Sequence, residues 1–419
     1  MEVLSVGEKI KRARIYKGYT LKDVCGEEIS VSKLSCIENG KVEAECWILE
    51  YIAQKLEMDF EYLKQSVDEQ ININIKKILE SMNKGSYNDD LQYNLDLAER
   101  YGYYDIGLEI MHMIFEHNLE KHKLKEAQRL IGRYYDLSNK ASFKYRKNMY
   151  YMDVGKYFYK NKEYYQSINY FKNVTKNVTC NKSEDHNFIL DAMYFEASAY
   201  LKIGKYEEAY QISLKLNELL NHIDESLKKA NVYHMMAIIY LKLDKSQFKK
   251  YETKAYEMYG DDIENKAMAM YSFASVMFEA DLRDMAQEYI KKAIDLYPRE
   301  NDEKLVDFIL KCTEELVNNK DMDFVSELSD EALNLSIKID NVRFVEKAYY
   351  LKAKVLIEQN SLITAEMYMS LSLDALNKFG TKKQICERYM EMGKMYYDMK
   401  YTSDSIRYFS LAMAMQKKL

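Results

Sequence analysis

From Val6 to Tyr16, apolar Val6, Ile10 and Ala13 recur at helical spacing, and Lys9, Lys11, Arg12, Arg14 and Lys17 fall between them. That pattern predicts an amphipathic helix with its cations outward. Thr20-Leu21-Lys22-Asp23 reads as a capping box with Asp in place of Glu, opening a short second helix with Leu21 and Val24 inward and Gly26 at its end. Ser30 caps a third helix, whose Leu34 and Ile37 face the core while Ser32, Lys33 and Ser35 face outward. Trp47, Leu49, Ile52, Ala53 and Leu56 form a fourth inward stripe, and Asp59 caps a fifth helix carrying Phe60 and Leu63.

Beyond residue 66 a longer period takes over. Tyr151, Val154-Gly155, Phe158, Tyr164, Ser167 and Phe171 set out a skeleton of an aromatic, a small residue, an aromatic, and then a second helix with a small residue and another aromatic. It returns at Met193, Ala197, Tyr200, Tyr206 and Ala209; at Tyr233, Ala237, Tyr240 and Tyr256; and at Met270, Ala274, Met277, Ala286 and Ile290, closed by the single proline, Pro298. Two more copies run from Tyr349 to Met369 and from Tyr389 to Ala412. Between the small second-helix positions Ser167, Ala209, Lys249, Ala286, Ala365 and Ser405 the steps are 42, 40, 37, 79 and 40 residues, so a weaker unit near Ala332 lies inside the long step. Residues 72–145 read as one or two further degenerate pairs, Leu91 to Phe115 and Leu119 to Leu137.

Composition supports an all-α chain: one proline and 13 glycines among 419 residues leave few helix breakers. The 39 tyrosines suit helix seams first, and ligand contact second. The six cysteines (25, 36, 46, 180, 312 and 386) form no Cys-x-x-Cys pair and have no histidine at metal-ligand spacing, which predicts reduced thiols, no metal site and no cofactor. No apolar run is long enough for a membrane span and the start of the chain is charged, so a soluble, cytoplasmic protein without a membrane partner is expected. A formal charge of −6 argues against a protein coated with nucleic acid, but a local basic face remains compatible with it. A Gly-rich phosphate loop, paired metal ligands and a nucleophile motif are all absent from the sequence, so no enzyme is expected.

A short helix, a turn with glycine, and a helix whose early positions are small and polar make the arrangement that enters a DNA groove. The run from Gly7 through Thr20-Leu21, Ser32, Leu34-Ser35 and Ile37-Glu38-Asn39-Gly40-Lys41 to Ile52-Ala53 and Leu56 resembles the phage-repressor-type (XRE) family. Ser30, Val31, Ser32, Lys33 and Ser35 are the base-edge candidates, and Lys11, Arg12, Lys17 and Lys41 the phosphate candidates. Residues 1–66 carry ten cations against twelve carboxylates, so affinity would depend on local charge.

The longer period resembles the tetratricopeptide repeat, which implies a right-handed α-solenoid whose first helices line a concave groove. Helical spacing places Lys156, Tyr194, Ser198, Asn231, His234, Tyr271, Ser275, Tyr350, Lys354 and Lys394 there, a set with donors, acceptors, cations and aromatic walls for an extended peptide. Each position also fits a packed or solvated role, His234 above all. The expected organisation is a helix-turn-helix domain at 1–66, a linker at 67–75, and a repeat domain for peptide binding and dimerisation at 76–419. The combination resembles the RRNPP family of peptide-pheromone receptors. That resemblance implies a cytoplasmic homodimer that binds double-stranded operator DNA and is switched by a short signalling peptide. A second reading is a repeat scaffold, or an inhibitor of a signalling protein, whose N-terminal domain serves oligomerisation.

Overall fold

The computed structural model describes residues 2–80, 87–142, 147–178, 186–243, 245–321 and 324–417. Among them there are helices and no strands. None of these helices is long and apolar enough to cross a membrane. The chain packs as two compact units, Met1–Ile212 and Ser213–Leu419.

The first unit opens with α1 (Val6–Tyr16), α2 (Leu21–Cys25), α3 (Val31–Glu38), α4 (Cys46–Leu56) and α5 (Phe60–Lys64). Local chemistry fixes the starts of α2, α3 and α5 as the sequence predicts. Thr20 and Asp23 satisfy each other's backbone N–H groups in a capping box, and the Ser30 and Asp59 side chains cap α3 and α5. Ile10, Val24, Leu34, Ile37, Ile48, Ile52, Leu56 and Leu63 share one core. Gly7 is required where α1 crosses the end of α3: a Cβ there would lie 2.3 Å from the Ile37 carbonyl oxygen.

Three expectations for this head are corrected. Lys9 points inward, only 2 % exposed, because its ammonium donates to the Tyr62 and Gln65 carbonyls at 2.7 Å each and so satisfies the end of α5. Burial, partly offset by the charge of Glu69, holds its pKa down at about 8. Arg14 is likewise not free, since it forms a two-pronged pair with buried Glu38 at 2.7 and 2.9 Å. Trp47 faces out and Ile48 takes its place in the core.

The 67–75 linker is replaced by α6 (Val67–Glu80), whose Val67, Ile71 and Ile75 enter the next core. The remaining helices of the first unit are α7 (Tyr87–Arg100), α8 (Tyr104–Glu120), α9 (Leu124–Lys140), α10 (Lys147–Lys160), α11 (Tyr164–Val178), α12 (His186–Lys202) and the start of α13 (Tyr206–Leu219). The second holds α14 (Ser226–Leu243), α15 (Phe248–Tyr259), α16 (Ile263–Glu279), α17 (Arg283–Leu296), α18 (Asp302–Asn318), α19 (Val325–Ile339), α20 (Val342–Glu358), α21 (Leu362–Leu376), α22 (Lys382–Asp398) and α23 (Thr402–Gln416).

Within each unit neighbouring helices pair as hairpins of the tetratricopeptide type, as α10 with α11, α14 with α15, α16 with α17, α20 with α21 and α22 with α23 do, and the small positions are the points of closest approach. Ser167 Oγ donates to the Gly155 carbonyl at 3.0 Å, and Ser405 Oγ to that of Gly393 at 2.9 Å, so two distant units repeat one contact. Ala274 and Ala286, and Ala353 and Ala365, are fully buried at the equivalent places. The weak unit near Ala332 is the hairpin of α18 and α19, with Ala332 buried. Lys249 does not hold a small position: a 3-10 turn at Lys245–Gln247 delays α15, so Phe248, Tyr251 and Glu252 are buried and Lys249 is exposed.

Candidate functional site

The helices α2 and α3, joined through Gly26–Ser30, present the outer face of the head. Val31 and Ser32 are exposed at the first turn of α3, Ser35 is half-buried one turn on, and Lys41 is exposed in the turn beyond. The Ser30 hydroxyl is engaged, accepting the Lys33 N–H at 3.2 Å. Lys33 is drawn aside: its ammonium pairs with Glu45 at 2.9 Å over the Trp47 ring, and Trp47 Nε1 donates to the same carboxylate at 2.7 Å. Those hydrogen bonds hold the Glu45 carboxyl below its ordinary pKa, Lys33 contributing most. Of the phosphate candidates, Arg12 pairs with Glu2 and Lys17 with Glu57, while Lys11 and Lys41 are exposed. The structure thus brings the small polar residues of α3 to one surface and ties several of the cations to carboxylates.

The groove candidates lie on first helices, and within each unit a polar ladder ties several of these helices to a neighbouring first helix. In the first unit Lys156 of α10 donates to Glu116 of α8 at 2.9 Å. Tyr194 and Ser198 share α12, hydrogen-bonded to each other, with Tyr194 edge-on to Phe195. In the second unit Tyr271 and Ser275 of α16 both donate to Glu315 of α18, at 3.3 and 3.1 Å. Tyr350 and Lys354 of α20 both donate to Glu391 of α22, at 2.7 and 2.8 Å. The Arg388 guanidinium stacks 3.8 Å over the Tyr350 ring and pairs with Glu346 at 3.0 Å. Lys394 is exposed on α22.

Two candidates turn into their own packing instead. Asn231 accepts the Tyr259 hydroxyl at 3.1 Å within one hairpin. His234 stands edge-on to Phe273 with centroids 4.8 Å apart, and its Nε2 is buried without a hydrogen-bond partner among the described residues. Burial alone pulls its pKa to about 4, so the ring is neutral.

No family model matches the sequence, and no curated protein matches it. Solved structures similar to it include the quorum sensor NprR from B. thuringiensis, without ligand, at 14 % identity over 84 % of this chain and 98 % of that one, with a TM-score of 0.47. PlcR from Bacillus thuringiensis, in complex with the peptide PapR7 and DNA, is 17 % identical over 61 % of this chain and 94 % of that one, with a TM-score of 0.38. Both are RRNPP members. A signal transduction ATPase from Pyrococcus horikoshii with a tetratricopeptide repeat sensor is 12 % identical over 98 % and 72 %, with a TM-score of 0.49.

Sequence reading found the cations and hydroxyls of the ladder and missed their carboxylates, Glu116, Glu315 and Glu391. The signal was present, because the partners stand one repeat apart. The separations are 40 residues for Lys156 and Ser275, 41 for Tyr350, and 37 for Lys354 and for the pair of Lys242 with Glu279. Opposite charges at the repeat period, rather than at helical spacing, identify side chains that meet between adjacent units.

Proposed function

We propose that the chain is a cytoplasmic transcription regulator that reads operator DNA with α3 and responds to a short peptide held on the first-helix face of its repeats. The observation that carries this reading is the exposed, small and polar start of α3 on a head whose core is otherwise complete. Short side chains there let the backbone approach a groove, and the neighbouring hydroxyls reach base edges. The ladder supports the peptide half: its carboxylates, hydroxyls and cations already satisfy one another across repeats, and an extended backbone offers the same kinds of partner in exchange.

A second copy is the expected partner, since half-sites are read by paired heads. Support comes from apolar residues left uncovered on the last hairpins: Ile363, Met367 and Leu371 recur along one exposed stripe of α21, with Ile406 and Met413 on α23.

One observation favours the second reading, a repeat scaffold or inhibitor whose head serves oligomerisation. Four of the ten cations of the head, Arg12, Arg14, Lys17 and Lys33, are paired with its own glutamates, which weakens attraction to phosphate. Fluorescence anisotropy against fragments of the gene's own promoter region, with and without candidate peptides, separates the two. The regulator reading expects Lys41→Ala to weaken all DNA binding evenly and Ser32→Ala to narrow the margin between specific and non-specific fragments. Absence of binding to every fragment at modest ionic strength favours the scaffold.

A further inference from the structure

We propose that the face shared by α8 and α10 is a divalent metal site, with His112, Glu116 and Asp153 as protein ligands and a first-row transition ion, Zn2+ or Mn2+, as occupant. His112 and Glu116 are four residues apart on α8, so their side chains rise from one face of the helix. Asp153 meets them from α10. Each residue offers a donor atom, and the three atoms lie within 4.8 Å of one another. Bonds of about 2.0–2.2 Å to nitrogen and oxygen require that triangle to close around the ion.

The second observation is an unsatisfied oxygen. The Asp153 side chain is 1 % exposed. Its Oδ2 contacts His112 Nδ1 at 2.6 Å and accepts the Tyr134 hydroxyl at 2.7 Å, whereas Oδ1 is buried with no hydrogen-bond partner among the described residues. A carboxylate oxygen shut away from water and from donors is costly, and a cation bound at that oxygen removes the cost. Tyr134, itself fully buried on α9, fixes the carboxylate from behind, as the outer partners of metal ligands do.

The donor set selects the ion. One imidazole nitrogen and two carboxylate oxygens, with no thiolate, suit zinc, manganese or ferrous iron and give no advantage to soft ions. Three protein ligands leave coordination positions open. Access is provided by the rim: the His112, Glu116 and Lys156 side chains are 34, 27 and 25 % exposed, while Asp153 forms the floor. Lys156 Nζ, 2.9 Å from Glu116, is the competing cation, and removing it frees a ligand. This site departs from the absence of metal expected on sequence grounds, and it stands whether or not the repeats hold a peptide.

The test uses the full chain, stripped with chelator and titrated with Zn2+ and with Mn2+ by calorimetry, with thermal shift in parallel. One ion per chain is expected for at least one of the two metals. Affinity should fall at least tenfold in His112→Ala and in Glu116→Gln, and rise severalfold in Lys156→Met. His112 and Glu116 lie at the rim, so both variants are expected to fold, and circular dichroism checks this. Failure of wild type to take up either ion overturns the proposal. So does uptake that persists unchanged in His112→Ala and Glu116→Gln, which would place the ion on other carboxylates.

Discussion

At His234 the ring nitrogen Nε2 is buried without a hydrogen-bond partner among the described residues, and the pKa of about 4 follows from that burial. Because the folded value lies below the ordinary value of about 6.5, stability is fully present above pH 6.5 and is lost as pH falls toward 4. His234→Phe keeps the ring beside Phe273 and removes the titration. We expect the variant to match or exceed wild type at pH 7.5 and to gain on it by up to a few kcal/mol by pH 4.5, read from denaturant midpoints at each pH. An unchanged difference across that range would mean that Nε2 reaches a proton acceptor or water. His112 behaves in the opposite sense: burial lowers its pKa, but the hydrogen bond and charge of Asp153 outweigh it and leave the ring more basic than usual.

Between elements, the decisive contacts are those where a side chain is missing. A Cβ at Gly155 would lie 2.7 Å from the Phe171 ring, and one at Gly393 would lie 2.7 Å from the Phe409 ring. Gly155→Ala and Gly393→Ala should each cost about 1–3 kcal/mol through overpacking, although alanine is the better helix former. Phe171→Leu should be less harmful on the Gly155→Ala background than alone, a coupling that a double-mutant cycle in urea measures. Additive losses would show that the ring and the glycine do not share space. Gly7 is more exacting, because its neighbour is the Ile37 carbonyl, which belongs to backbone and cannot rotate away.

Within the first unit, the head is fastened to the repeats by few but specific contacts. Val3 enters the core built by α6 to α8, and Gln70 of α6 exchanges hydrogen bonds with the Leu4 backbone at 2.9 and 3.3 Å. The Tyr101 hydroxyl donates to Glu8 of α1; burial first, and that carboxylate second, raise its pKa to about 12, so it stays a donor at any physiological pH. This joint lies between the proposed DNA surface and the hairpins. Any peptide effect on operator affinity needs a difference in binding between two arrangements of such a joint, ~1.4 kcal/mol for a tenfold change. Tyr101→Phe should cost about 1 kcal/mol of stability and reduce the ratio of operator affinities with and without peptide. Paired anisotropy titrations check this, and an unaltered ratio would remove the joint from the switching route.

What the sequence by itself determined is what depends on residues close along the chain. The starts of α2, α3 and α5 follow from caps three residues from their targets, and the hairpins follow from small and aromatic residues at fixed offsets, as Gly155, Ser167 and Phe171 show. Where one extra turn intervened, at Lys245–Gln247, the offset failed and Lys249 was misplaced. Only the tertiary structure decided which polar side chains are free. Lys9 looks solvated until the end of α5 brings the Tyr62 and Gln65 carbonyls to its ammonium, and Lys33 looks available until Glu45 takes it. The meeting of His112 with Asp153, 41 residues apart, likewise depends on the stacking of two hairpins. Helical periodicity gives the face a side chain occupies, whereas its partner and its contact with water depend on chain brought in from one repeat away or more.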